Sequence, residues 1–239
     1  MTNLRRRAEA DVSSWFKHLD EFQKATHRQR ESRPFVTISR ESGAYGMTIA
    51  EMLAEYLRKR ERRQDAPWTV FDKELIKKVI EEHEFPKKFE EYFSESTSPV
   101  IVDILEEILG LHPPQETLVR KMTETILQLA QVGYVILVGR GANIITRKLP
   151  NGVHVRLVGS FEKRVAHMQE YLNLNEKQAR DHVIKEERDR GGYIKRYFQK
   201  DLSDVSLYDI VINTDTVPIE NAVRVIGEMV LKGKGEHVV

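Results

Sequence analysis

The chain contains no cysteine, so disulfide bonds, thiolate catalysis and cysteine-based zinc sites are all excluded. It also has no apolar run that approaches the roughly 18 residues needed to span a membrane. Its formal net charge is only +1, which leaves no overall field to draw it onto a nucleic-acid polymer or an anionic membrane. Any affinity for anions must therefore come from local clusters of arginine and lysine.

Several familiar site patterns are missing as well. The eight histidines are scattered and form no HExxH or HxH pair, the spacings typical of a metal site. The sequence also lacks the serine–histidine–aspartate and paired-carboxylate spacings that would indicate nucleophilic or acid–base hydrolysis. The residues after the N-terminal arginines are polar, where a signal peptide would need an apolar core. We therefore expect a cytoplasmic protein.

Residues 1–33 predict an amphipathic N-terminal helix. They include neither glycine nor proline, and Trp15, Phe16, Leu19 and Phe22 recur at helical spacing. Two arrangements of this apolar stripe stay open, on the rest of the chain or on a second subunit as a homo-oligomer. We favour packing on the rest of the chain.

Five short runs of β-branched and aliphatic residues predict strands, and helical patterns separate them. The runs are 35–39, 68–71, 134–138, 153–158 and 210–213. Strands that alternate with helices predict a mostly parallel, doubly wound α/β sheet. We assign this domain to residues 34–239, with 84–132 as a helical insertion because that stretch has no convincing strand.

Polar and glycine residues gather just beyond the predicted strands. They occupy 39–46, 72–73, 139–141, 159–160 and 213–214. In open α/β sheets, ligands bind outside the carboxyl ends of the strands. We therefore expect the functional site at this edge of the sheet.

A strand, a glycine-bearing loop and a helix follow one another from residue 35 to 63, as in a phosphate-binding loop. Against the motif GxxxxGK[ST], Gly46 and Thr48 match, but Glu41 replaces the first glycine and Met47 replaces the lysine. Backbone amides at such a loop bind anions without any side chain, and Gly43 allows close approach of the backbone. A tight turn with no ligand is the alternative that this segment alone leaves open.

Four segments, each on a predicted strand or its neighbouring turn, carry a family resemblance. They read V-T-I-S-R-E-S-G with I-A-E at 36–51, F-D-K-E-L-I at 71–76, V-G-R-G-A at 138–142 and Y-D-I-V-I-N-T at 208–214. In this order they resemble the cytidylate kinase-like family of P-loop nucleoside monophosphate kinases. The resemblance implies a P-loop NTPase-type three-layer fold that binds ATP and Mg²⁺ and transfers the γ-phosphoryl group to a (d)CMP-like nucleoside monophosphate.

The resemblance also implies which residues bind the two substrates. The triphosphate would lie on Arg40, Ser42, Gly43, Ala44, Tyr45, Gly46, Met47 and Thr48, with the Thr48 hydroxyl on the metal. Asp72, Lys73 and Arg140 would face the acceptor, since the planar fork of an arginine suits phosphate oxygens. Asp72 as a simple helix N-cap, and Arg140 as the partner of a carboxylate that fixes its turn, remain alternatives.

Residues 185–200 carry the densest basic cluster and would form a lid over the transferring group. Arg188, Arg190 and Arg196 are the candidate catalytic arginines beside Arg140, and Gly191-Gly192 is the expected hinge. The alternative is a solvated helix with charge pairs four residues apart.

Met47 and the insertion keep two other functions open. Family members commonly have a basic residue after the glycine loop, so Met47 favours a catalytically impaired nucleotide-binding or sensory module. The insertion, where acceptor specificity should lie, matches nothing firmly. A kinase for a different small acceptor is therefore the other alternative.

Overall fold

A computed structural model describes residues 33–60, 68–74, 76 and 117–233. Its five strands form one sheet: β1 (Phe35–Arg40), β2 (Thr69–Phe71), β3 (Val135–Val138), β4 (Gly152–Val158) and β5 (Ile210–Asn213). The strand order is β2-β3-β1-β4-β5, and every neighbouring pair is parallel. All five predicted strands and the predicted parallel sheet are confirmed.

Helices connect the strands. They are α1 (Gly46–Arg60), α2 (Thr117–Val132), α3 (Ala142–Ile145), α4 (Phe161–Leu172), α5 (Glu176–Phe198) and α6 (Ile219–Lys232), with a 3-10 turn at Val205–Leu207. Helices α1 and α6 pack against each other beside the sheet. The chain thus forms an α/β fold with a parallel sheet between its helices.

The core lies on the two central strands. The side chains of Val36 and Ile38 on β1, and of Ile136 and Val138 on β3, have no exposed surface. Strands that are buried on both faces must be continuously apolar, which is why these runs were recognisable in the sequence. Helix α1 covers the sheet with residues spaced three and four apart, namely Ile49, Ala50, Leu53, Ala54 and Leu57.

Two predicted features lie outside the described residues. The amphipathic helix predicted for residues 1–33 falls there almost entirely, as does the part of the predicted insertion that precedes Thr117. The remainder of the insertion, Thr117–Val132, is helix α2, as its pattern predicts.

Helix α5 differs from the sequence prediction. It runs without a break through Gly191 and Gly192, where a hinge was expected. A glycine inside a helix costs about 1 kcal/mol relative to alanine, which a long and well-capped helix can tolerate. Asn175 and Gln178 form a capping box at its N-terminus, and Ile194 is buried beyond the glycines. The cap before the glycines and the burial of Ile194 after them therefore keep the segment helical.

We expect the double variant Gly191→Ala/Gly192→Ala to raise the free energy of unfolding by about 1 kcal/mol. A Cβ at either position would meet no atom of the described residues within 4 Å, so alanine only reduces the freedom of the unfolded chain. Urea denaturation measures the change. Gly227→Ala is the matched control in helix α6, because its Cβ would collide with the Tyr56 ring and should lower stability. A loss of stability in the double variant would contradict a continuous α5.

Candidate functional site

The glycine loop joins β1 to α1 and is held from outside by α4. Gly43 has φ +88° and Tyr45 has φ +56°, both in the left-handed region. The Tyr45 ring stacks on the ring of His167 with 3.7 Å between centroids, and His167 Nδ1 lies 2.8 Å from the Gly43 carbonyl oxygen. A Cβ on Gly43 would collide with the backbone carbonyl of Arg164, so only glycine fits this turn.

The backbone amides of the loop fall into two groups. The Ser42 amide donates to the carboxylate of Glu187 on α5, and the Ala44 amide donates to the Glu41 carbonyl at 3.2 Å. The amides of residues 46–48 begin α1, and the first turn of a helix has no preceding turn to accept from it. Together with the helix dipole, these amides form a site suited to an anion.

Glu41, which stands at the first glycine of the motif, anchors the loop. Its carboxylate accepts from the Gly159 amide at 3.0 Å and lies 3.3 Å from Arg164 Nε. Arg164 in turn donates to the carbonyl oxygens of Gly159 and Ser42 at 3.0 and 3.1 Å. The departure from the motif thus has a structural role, since Glu41 and Arg164 join the loop to the end of β4.

We expect Arg164→Ala to lower the free energy of unfolding by about 2 kcal/mol, because it strips partners from the half-buried carboxylate of Glu41 and from two carbonyls. Urea denaturation followed by circular dichroism measures the loss. Arg180→Ala on α5 is the control, since Arg180 makes exposed ion pairs with Glu162 and Glu176 and should matter little. Equal effects of the two variants would contradict the anchoring role of Arg164.

Beside the loop, the ends of β1 and β3 and one face of α5 enclose a cavity of about 160 Å³. Four cations line it, Arg40, Lys73, Arg140 and Arg190, together with the carboxylates of Glu186 and Asp189. The sequence placed these cations in three separate groups: the loop, the acceptor side and the lid. The fold brings one or more members of each group to the same cavity.

Arg40 is buried among charges of both signs. Burial lowers its pKa to about 10, and the neighbouring charges of Arg190 and Arg140 add to the effect. The negative charges of Asp72 and Glu186 oppose it only in part. An anion bound in the cavity would relieve this repulsion.

Arg140 is presented by an unusual backbone. Gly139, Arg140 and Gly141 have φ values of +84°, +56° and +72° in succession, directly after β3. A non-glycine residue in this region is uncommon and is a marker of functional sites. The Arg140 guanidinium lies 5.2 Å from the Tyr193 ring centroid. Its Nε is buried and has no hydrogen-bond partner among the described residues.

Asn143 was missed by the sequence reasoning. It is only 3% exposed, it lines the same cavity, and its Nδ2 likewise lacks a hydrogen-bond partner in the described part of the chain. One signal was available, since Asn143 is a single polar residue among Ala142, Ile144 and Ile145. A buried amide without a partner is costly, so a ligand that accepts a hydrogen bond is its natural complement.

The three candidate lid arginines take different positions on α5. Arg190 Nη1 donates to the Arg40 carbonyl at 2.9 Å and to Glu187 at 3.0 Å, which holds α5 over the loop. Arg188 is exposed beside Asp189, and Arg196 is exposed above the Tyr197 ring. Arg190 is therefore the member of this set that reaches the cavity.

Asp72 and Met47 complete the positions predicted from the sequence. Asp72 follows β2, and its carbonyl accepts from the Ile76 amide at 3.0 Å, as at the start of a helix. Met47 is partly buried and packs against the core. The side chain at the lysine position of the motif therefore supplies no charge to the loop.

The described ranges include no group of three or more histidine, aspartate or glutamate side chains suited to a metal ion. Nor does any helix in these ranges have the length and apolar character that a membrane span would need.

Solved structures with a similar fold are distant in sequence. An uncharacterized protein from Eubacterium ventriosum ATCC 27560 is 19% identical, with a TM-score of 0.63 over 84% of this chain and 100% of its own. Shikimate kinase from Bacteroides thetaiotaomicron is 12% identical, with a TM-score of 0.45 over 84% and 99% of the two chains. TT1252 from Thermus thermophilus is 12% identical, with a TM-score of 0.40 over 82% and 96%.

Among curated proteins, no sequence matches this chain. The model of the cytidylate kinase-like family, in contrast, matches residues 35–216, which extend from β1 to just past β5. This range contains the glycine loop, the turn at Arg140 and helix α5. On this match over most of its length, the chain belongs to the cytidylate kinase-like family.

Proposed function

We propose that the protein is a kinase that transfers the γ-phosphoryl group of ATP to a (d)CMP-like nucleoside monophosphate. The observation that carries this proposal is the convergence of Arg40, Lys73, Arg140 and Arg190 on one cavity beside the glycine loop. Phosphoryl transfer depends mainly on positioning and on neutralising the phosphate oxygens, and four cations at one place suit both tasks. Membership of a cytidylate kinase-like family supports the same reaction class.

The donor would bind the glycine loop. Its phosphates would accept from the amides of residues 46–48, at the positive end of the α1 dipole. The Thr48 hydroxyl and the Asp72 carboxylate would hold Mg²⁺, and both offer the oxygen ligands that this ion prefers. Mg²⁺ held there would supply positive charge to the donor phosphates.

The acceptor would bind at the end of β3. Arg140 has a buried Nε without a partner, and this atom would donate to the acceptor phosphate. The Asn143 amide would donate to a second oxygen of the same molecule.

Arg190, which α5 carries over the cavity, would neutralise the transferring phosphoryl group. Movement of α5 away from the loop would then admit and release the nucleotides, the role expected of residues 185–200.

A kinase for a smaller acceptor is a second candidate, and the size of the cavity favours it. A volume of about 160 Å³ is below the 300–1,000 Å³ typical of ligand pockets. Such an acceptor would be a small phosphorylated or hydroxylated molecule.

A nucleotide-binding module without turnover is a third candidate, which the packing of Met47 favours. The side chain lies against the core, so the loop has no lysine to follow the γ-phosphate. This reading requires ATP binding without product formation.

One experiment separates the three candidates. The full chain is incubated with Mg-ATP and either a panel of nucleoside monophosphates or a panel of small phosphorylated and hydroxylated acceptors, and ADP formation is followed. Calorimetry measures ATP binding in parallel. Turnover with CMP or dCMP supports the first candidate, and turnover only with a smaller molecule supports the second. ATP binding without turnover on any acceptor would overturn the kinase proposal and leave the binding module.

We expect Asn143→Leu to raise KM for the acceptor about tenfold while KM for ATP stays within about twofold. Leucine keeps the shape of the side chain but removes the unpartnered amide donor. Steady-state kinetics with each substrate varied in turn measures the split. Asn221→Leu, at an exposed position on α6, serves as the control. An equal rise of both KM values would contradict a role specific to the acceptor.

A further inference from the structure

The glycine loop needs a positive charge that position 47 does not supply. Two of the arginines around the loop are already engaged. Arg164 binds Glu41 and two carbonyls, and Arg190 binds Glu186, Glu187 and the Arg40 carbonyl. The guanidinium of Arg40, in contrast, lies at the cavity, where Asp72 and Glu186 act on it as opposite charges and Arg190 and Arg140 as like charges.

The path of the Arg40 side chain leads from the loop to the acceptor side. Arg40 is the last residue of β1. Its Cγ lies 2.7 Å from the place where a Cβ on Gly46 would sit, at the first residue of α1. Its Nη1 occupies the space that a Cβ on Gly139 would need, at the end of β3. The side chain therefore spans the gap between the proposed donor and acceptor sites.

Glycine at both ends of this path makes room for the guanidinium. Any side chain at Gly46 would meet the aliphatic part of Arg40, and any side chain at Gly139 would meet its charged end. The arginine is thus held by the backbone on two sides. A cation that is already positioned loses little freedom when it meets a phosphate, which is the condition for strong electrostatic stabilisation of a transition state.

The charges around Arg40 also favour a phosphoryl group beside it. Arg190 and Arg140 act on it as like charges, and both line the same cavity. A phosphoryl group between the three guanidinium groups would replace their repulsion with charge-assisted hydrogen bonds.

We propose that Arg40 is a catalytic residue, whose guanidinium contacts the γ-phosphoryl group and supplies the charge that the motif's lysine would otherwise supply. This inference rests on the proposed kinase function. In the step, an oxygen of the acceptor phosphate forms a bond to the γ-phosphorus as the bond from that phosphorus to the bridging β-oxygen breaks. The electron pair of the broken bond stays on ADP. Arg40 remains protonated throughout and stabilises the charge on the γ-oxygens.

A set of four variants tests the inference. They are Arg40→Met, Arg40→Lys, Met47→Lys and the double variant Arg40→Met/Met47→Lys. We expect Arg40→Met to lower kcat about a hundredfold, by analogy with the removal of other charge-stabilising donors. Arg40→Lys should retain about a tenth of the wild-type kcat, since it keeps the charge but not the planar fork.

The double variant should recover at least about tenfold in kcat over Arg40→Met, because an ammonium at position 47 then meets the same phosphate. Met47→Lys should raise kcat by a smaller factor in the wild-type background than in Arg40→Met, since Arg40 already fills the role. A kcat of Arg40→Met close to that of the wild type, or a gain from Met47→Lys as large in the wild-type background as in Arg40→Met, would overturn the inference. Lys59→Met, at an exposed position on α1, is the control.

Binding measurements keep this test separate from the test of turnover. If Arg40 contacts the γ-phosphate, Arg40→Met should lose most of the preference for Mg-ATP over Mg-ADP that calorimetry finds for the wild type. An unchanged preference would overturn the inference even if no acceptor were ever phosphorylated. If the wild type shows no turnover but its preference for Mg-ATP over Mg-ADP depends on Arg40, only the kinase proposal is rejected. Circular dichroism checks that each variant is folded, and Arg40→Gln, which also removes the charge, replaces Arg40→Met in these measurements if the latter is not.

Discussion

Replacement of Arg140 by alanine is expected to lower kcat/KM for the acceptor about a thousandfold, equivalent to about 4 kcal/mol of transition-state stabilisation. The side chain is held over the Tyr193 ring, and its buried Nε has no partner in the described part of the chain. A phosphate that accepts from this arginine gains charge-assisted and bidentate hydrogen bonds. Alanine removes all of them at once.

Steady-state kinetics with the best acceptor measures this loss. Arg140→Gly is the matched variant, because it also deletes the side chain but relieves the backbone conformation at φ +56°. The two variants should be equally impaired in turnover, whereas the glycine variant should be the more stable in urea. Arg224→Ala, at an exposed position on α6, should retain wild-type kinetics. A loss below about tenfold for Arg140→Ala would place the acceptor phosphate elsewhere.

Gly43→Ala is expected to lower the free energy of unfolding by about 3 kcal/mol. Two costs combine at this residue. Alanine is disfavoured at φ +88°, and its Cβ would collide with the carbonyl of Arg164, which is backbone and has little room to move. The variant should therefore also separate the loop from α4.

Urea denaturation distinguishes these two costs. Gly233 is the matched control, because it has φ +71° but open space around a would-be Cβ. Gly233→Ala should lose only about 1 kcal/mol, the cost of the backbone conformation alone. The excess loss in Gly43→Ala then reports the contact with Arg164. Equal losses would contradict the close packing of α4 on the loop.

The strands were predictable because a central parallel strand is buried, and its sequence is therefore mostly apolar. The run at β3 is apolar throughout, and β1 alternates Val36 and Ile38 with the buried polar residues Thr37 and Ser39. The helix after the glycine loop was also predicted, and it is α1. Helix α5 continues through Gly191 and Gly192, where a hinge was expected, because local propensity is weak and the packing of Ile194 and the cap at Asn175 outweigh it.

The site was only partly predictable. Gly43 and the turn at Arg140 stood out, since glycines beside a predicted strand end suggest a special backbone conformation. Asn143 gave little signal, because one polar residue in an apolar stretch is common. Glu41 looked like a defect of the motif, and its pairing with Arg164 depends on a helix more than one hundred residues away in the chain.

By itself, the sequence determined the class of fold, the edge of the sheet that carries the site and the absence of a lysine at Met47. These properties follow from local patterns of apolar, glycine and charged residues. The tertiary structure alone decided that Arg40, Lys73, Arg140 and Arg190 share one cavity and that Arg188 and Arg196 do not. Distances between residues far apart in sequence depend on how strands and helices pack, and that packing is what brings Arg140 and Arg190 close to Arg40.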